Sequence, residues 1–251
     1  MREPELDRIR RQIEAGFAQE GFPITRPVAI AIRKDLPPAA TTFRDGERFV
    51  ILVSDRAAES DDVALLLAHE LGHVQRMDSG HASHDDDAIT AAYAAIEPRL
   101  RHEYERRTIH HAINFTQDLY ADPLSLRVAR RLGLVAPGAI EALIAGFTND
   151  EPYEIDDPLA RRWDQTEDMV GNARAIALAR LADAPQARER AERRQGRYLA
   201  RIAPDIAREA PWFQARLDDL PEDVTREAFA QLLVEYVRRF VATAGLSADG
   251  R

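Results

Sequence analysis

The 251-residue chain has no cysteine. That excludes disulfides, thiolate metal sites and thiol nucleophiles. Lysine is nearly absent as well. Lys34 is the only one among 34 basic residues, and the arginine excess reads as coding bias rather than chemistry. No apolar run is long enough to span a bilayer. The opening stretch "MREPELDRIRRQIEAGF" lacks the apolar core and small-residue cleavage site of a secretory signal, so a cytoplasmic protein is expected. Basic charge is in deficit too. At a net charge of −9, broad nucleic-acid binding is not expected, because phosphate neutralisation needs a basic surplus.

With 45% hydrophobic and 31% charged residues, the composition is that of a soluble globular chain, long enough for one large domain or two small ones. The pattern predicts a first helix over residues 4–19 and a strand within 26–36. A hairpin is expected over 41–55, turning at Asp45-Gly46. A small antiparallel sheet of about three strands therefore precedes a helix that Ser60 is placed to cap, with Asp61 and Asp62 in its first turn. Residues 78–87 read as a polar loop. Residues 88–134 read as helical with interruptions at Pro98 and Pro123. Helices are expected over 158–183, 186–202 and 221–244. "EPYEIDDP" (151–158) is the best linker candidate, so we expect a 1–147 domain and a 148–251 helical region, or one domain containing both. The fold class is α+β, mostly helical, with the sheet packed on the central helix.

That central helix carries "LLLAHELGHVQRMD" (65–78). Helical residues four apart share a face, so His69 and His73 can reach one ion about 2 Å from each nitrogen. Glu70, rotated by about 100°, points to the open side where a water binds, and can take that water's proton. The bland alternative is a chance pattern. A chance hit falls on exposed helices as readily as on buried ones, whereas this one sits in the most apolar helix, where unpaired polar groups are costly. Gly72 in mid-helix costs about 1 kcal/mol against alanine and points to close packing or ligand approach.

A catalytic zinc site needs a third protein ligand. In the metzincin pattern a glycine and a histidine follow at fixed offsets; here those positions hold Arg76 and Ser79. His81 and His84 lie in the polar loop and are minor candidates. The better source is "HHAINFTQDLYADPLSLRVARRLG" (110–133), where His111, Asn114, Asp118 and Asp122 share a face. Asp118 can reach the metal, and Asp122 can then accept the second ring N–H of His69 or His73. Asp122 before Pro123 also fits an ordinary helix cap, and Asp118 an ordinary solvated residue. Tyr104, Tyr120, His110 and His111 are candidates for stabilising an oxyanion.

"HELGH" followed some 45 residues later by "DLYADPLSLRVARRLG" resembles the gluzincin metallopeptidases, nearest to the small (minigluzincin) and M48-type members. The resemblance covers about residues 26–135. It implies a zinc-dependent peptidase acting on protein or peptide substrates, with a small sheet over the motif helix. His69, His73 and Asp118 would be its ligands, Glu70 its base and Asp122 the histidine orienter. The chain departs from the pattern in one respect: the usual third ligand is glutamate, one methylene longer than Asp118. Either the two helices approach more closely here, or His111 or His110 is the ligand.

Two rival functions stay open. One is a degenerate, metal-binding regulatory module whose C-terminal helices bind a partner protein. The other is hydrolysis of a different amide or ester. "QARERAERRQGRYLAR" (186–201) looks basic, but Arg188–Glu192 and Glu189–Arg193 have helical ion-pair spacing, which reads as a solvated face.

Overall fold

A computed structural model describes residues 3–136 and 138–245. The chain is mostly helical with one three-stranded sheet, the expected α+β class. Among the described residues, contacts divide it into two compact units. The first is drawn from Met1–His84 and Tyr120–Ala139, the second from Asp85–Leu119 and Ile140–Arg251.

The first unit begins with α1 (Glu3–Gln19), whose Leu6, Ile13 and Phe17 are fully buried. Strands β1 (Val28–Arg33), β2 (Ala40–Asp45) and β3 (Arg48–Ser54) follow. The expected hairpin is β2–β3, with one shift. Asp45 pairs with Arg48, so the two-residue turn is Gly46-Glu47, and Gly46 takes the φ of +60° that its first position requires. β1 pairs parallel to β3, giving the order β1-β3-β2 and a mixed sheet. The reason is burial. β3 carries Phe49, Ile51 and Val53, none of which reaches solvent, so the most apolar strand takes the centre and both other strands flank it.

A short helix α2 (Asp55–Ala58) leads to the motif helix α3 (Val63–Asp78). Ser60 does not cap α3. Its Oγ accepts the Asp62 N–H in a turn, and the helix starts at Val63. α3 ends in a Schellman motif: Gly80 at φ +68°, His81 N–H to the Arg76 carbonyl and Gly80 N–H to the Met77 carbonyl. This turn folds the chain back, and a 3₁₀ turn, Ala82–His84, returns along the helix end.

In the second unit α4 (Asp86–Ala94) is capped by Asp85. Pro98 sits in a 3₁₀ turn, as the expected interruption. Helix α5 (Glu103–Arg131) then runs 29 residues without a break. Pro123 does not interrupt it, contrary to expectation. A proline inside a helix forfeits one hydrogen bond and crowds the preceding turn, and here packing holds the helix through it. Leu119, Leu124 and Val128 are all buried. α5 is counted with the second unit up to Leu119 and with the first from Tyr120.

α6 (Ala139–Gly146), α7 (Pro158–Leu181), α8 (Pro185–Leu199), α9 (Pro204–Ala207), α10 (Ala210–Asp218) and α11 (Arg226–Thr243) complete the second unit. α7 is buried on nearly every side from Trp163 to Ala179, with α8, α9 and α10 packed on it. Trp163, Phe213, Tyr236 and Phe240 form its aromatic core. The linker candidate is tied down rather than loose. Glu151 pairs with Arg201, and Asp157 caps α7 by accepting from the Leu159 and Ala160 N–H groups.

Candidate metal centre

The site begins where α3 crosses the C-terminal half of α5. A Cβ on Gly72 would lie 2.0 Å from Ser125 Oγ and 3.0 Å from the Ala121 carbonyl oxygen. Only glycine fits, so the mid-helix glycine marks a close backbone approach. One polar tie holds the crossing, and a second braces α5 beside it. The buried Arg76 donates through Nε to the Tyr120 carbonyl at 2.9 Å, and Ser125 Oγ donates to the Ala121 carbonyl within α5.

At this crossing His69 Nδ1 lies 2.5 Å from Asp122 Oδ1. Asp122 is buried and lies mid-helix, so its carboxylate is not capping a helix start. Accepting the Nδ1–H fixes the His69 tautomer and leaves Nε2 as the nitrogen with a lone pair. His73 sits one turn on, its ring 4.7 Å from that of His69. Its Nδ1 meets His84 Nε2 at 2.8 Å.

Asp118 lies one turn before Asp122 on the same helix and the same face. His69, His73 and Asp118 each offer one ligand atom, and these atoms all lie within 4.8 Å of one another. A tetrahedral zinc shell at about 2 Å spaces its donors by about 3.3 Å, so two imidazoles and a carboxylate at this span fit the ion's size and ligand preference. Asp118 also has a structural job. Its Oδ2 is 3.1 Å from the buried guanidinium of Arg174, which stacks on the rings of Phe147 and Phe115.

Glu70 is buried, at 6% exposure. Thr42 of β2 donates its hydroxyl to Glu70 Oε2 at 2.5 Å. The edge strand of the sheet thereby holds the carboxylate that the motif singles out.

The remaining candidates lie elsewhere. His111 is half-exposed and gives Nδ1 to Glu167 of α7 at 2.6 Å. His110 stacks on Tyr93 and Tyr104 on His102. Neither His110 nor His111 belongs to a metal-competent group among the described residues. Tyr120 is buried with its ring beside His81. Two partners escaped sequence reading, Thr42 and Arg174, and His84, a minor ligand candidate there, is found as the partner of His73. Thr42 falls in a strand whose register no local signal fixes. Arg174 lies 56 positions from Asp118 along the chain. The signal for His84 was present, since Gly80 directly after the last helical turn predicts a reversal that brings the next few residues back.

The chain matches the model of a family of unknown function (DUF5781) over residues 15–242. It belongs to that family. The match takes in the whole of α3 and α5, so the motif and its acidic helix lie inside the family's extent. No curated protein and no solved structure matches the chain. Among the described residues no helix is long and apolar enough to cross a membrane.

Proposed function

We propose that the chain is a zinc-dependent metallopeptidase, with His69, His73 and Asp118 as ligands and Glu70 as general base. One observation carries the reading: a three-donor group of zinc-compatible span on the helix that also presents Glu70. The chemistry supplied by the bound ion is Lewis acidity, a lowered water pKa and a polarised carbonyl. The chain's own residues do the rest. Asp122 orients His69. Glu70, steadied by Thr42 through Oε2, takes the proton of the attacking water and returns it to the departing amine nitrogen. Protein or peptide is the substrate class, and the absence of cysteine accords with a cytoplasmic setting.

The ion pair between Asp118 and Arg174 supports a second reading, in which the acid is retained for structure. The chain would then be a degenerate, regulatory module whose C-terminal helices bind a partner protein.

Zinc content and casein hydrolysis, measured on the wild type and on Glu70→Gln, decide between them. The peptidase reading expects about one zinc per chain in both proteins and hydrolysis only in the wild type. Hydrolysis by Glu70→Gln at the wild-type rate removes Glu70 as the base. A wild type holding less than about a tenth of an equivalent, with no uptake on titration, removes the metal.

A further inference from the structure

The loop after α3 contains a directional hydrogen-bond chain that ends on His73. The backbone N–H of Ser83 donates to His81 Nδ1 at 3.2 Å. A backbone amide is always a donor, so His81 Nδ1 carries no proton. Ser83 Oγ, 2.8 Å from the same nitrogen, must then give its single hydrogen to His81. Towards His84 the hydroxyl is left as an acceptor, so His84 Nδ1, also 2.8 Å away, is the donor. A neutral imidazole with Nδ1–H has its lone pair on Nε2. That lone pair faces His73 Nδ1 at 2.8 Å, and the contact is a hydrogen bond only if His73 carries its proton there.

We infer that His84, set by Ser83 and His81, is a positioning residue that locks His73 into the Nδ1–H tautomer and presents its Nε2 as the metal-binding nitrogen. The two ligand histidines are thus oriented by different means. A carboxylate holds His69, and a hydrogen-bond relay anchored on one backbone amide holds His73. The relay's anchor is buried, since Ser83 has no exposed surface. The Schellman turn at Gly80 places it there. The inference rests on the metal reading for its purpose, though the tautomer itself does not require an ion.

The test uses the full chain. Histidine ¹⁵N shifts of the metal-free protein report the His73 tautomer, and competition titration reports zinc affinity. In the wild type His73 is expected as Nδ1–H. In His84→Ala it should move towards Nε2–H, with zinc affinity falling 10–100-fold, the usual loss for a ligand's outer partner. His84→Gln offers an amide oxygen to the same N–H and should restore both readouts, which separates the relay from mere loop packing. Should His84→Ala fail to fold, Ser83→Ala tests the same chain one link out and should loosen the tautomer. A wild-type His73 already protonated at Nε2, or variants that leave its tautomer unchanged, overturns the proposal. A wild type that shows the Nδ1–H tautomer yet takes up no zinc overturns the metal reading and leaves the relay standing.

Discussion

Two buried polar regions solve the problem of burial differently. In the first unit, where α3 crosses α5, the Nδ1 of each motif histidine meets a polar side chain: His69 meets Asp122, and His73 meets His84. In the second unit, α7 lines up three acids, Asp164, Glu167 and Asp168. Asp168 is held only by neutral groups, accepting from Asn149 at 2.6 Å and from the Tyr198 hydroxyl at 3.1 Å. Burial, reinforced by the neighbouring Asp164 charge, pushes its carboxyl up to about 7. The same pairing pushes the Tyr198 hydroxyl up, burial first and the Asp168 charge second. A buried acid beside an imidazole N–H can fix the direction of the ring; one among neutral donors and other acids holds its proton more tightly. The first arrangement fixes the direction of two histidine rings and the second builds a pH-sensitive core.

Asp118 and Arg174 form the one ion pair whose two side chains are both about nine-tenths buried among those described, and breaking it should have the largest effect. Asp118→Ala leaves the guanidinium between two aromatic rings without its counter-ion, and removing one partner of a buried pair costs about 3–5 kcal/mol. The metal-free protein should show that loss in urea unfolding. Asp118→Asn keeps an acceptor for Arg174 and should recover much of the stability while still losing zinc. Zinc affinity should fall further in Asp118→Ala than in Asp122→Ala, and His111→Ala should leave it nearly intact. Zinc lost from His111→Ala but retained by Asp118→Ala would overturn the ligand assignment.

The next effect is a pH dependence. An acid whose folded pKa lies above its unfolded value binds protons more tightly in the native state. The stability Asp168 adds is therefore fully present below about pH 4 and is lost progressively as pH rises to about 7. The size is on the order of 2 kcal/mol, because each tenfold gain in proton affinity is worth about 1.4 kcal/mol and solvent reaching the side chain reduces the total. Asp168→Asn should flatten the slope and be more stable than wild type at pH 8. Equal slopes in both proteins would show that Asp168 titrates normally and would erase the contrast between the two regions.

The local parts of this architecture were legible, and the long-range ones were not. Glycine inside an apolar helix marked the α3–α5 crossing because its cost is intrinsic to the residue. The HELGH spacing put two imidazoles on one face because helix geometry is fixed. Pro123 misled because intrinsic propensity was weighed without the packing that overrides it. Ser60 misled because a serine that favours a cap equally favours the turn before one, and its hydroxyl bonded Asp62. The pairing of β1 was invisible, since partner choice follows from which strand is most buried in the finished sheet. The stretch at 151–158 looked like a linker by composition, yet Glu151 pairs with Arg201 and Asp157 caps α7.

Gly72→Ala should have a smaller effect than either change above. Overpacking costs about 1–3 kcal/mol, and alanine returns about 1 kcal/mol in helix propensity, so a net loss of about 1–2 kcal/mol is expected. Ser125→Ala should relieve part of it, because Ser125 Oγ is the nearest obstacle. The double variant refolding with wild-type stability and zinc affinity would mean that the backbone approach at Ala121 is not limiting.

The smallest effect belongs to the exposed charges of the second unit. On α8, Arg188 donates to Glu192 at 2.8 Å and Arg193 pairs with Glu189, and all four side chains are about half exposed or more. Exposed pairs four apart contribute about 0.3–0.5 kcal/mol at most, and salt screens them. Arg188→Ala should therefore shift the urea midpoint barely beyond error and shift it less still in about 0.5 M salt. If these arginines instead formed a nucleic-acid surface, their partners would be phosphates, and Arg188→Ala would lower a measurable, salt-dependent affinity for duplex DNA or RNA. With each of the two arginines already matched by a carboxylate on its own helix, no such affinity is expected in the wild type, and detecting it would overturn the solvated-face reading of α8.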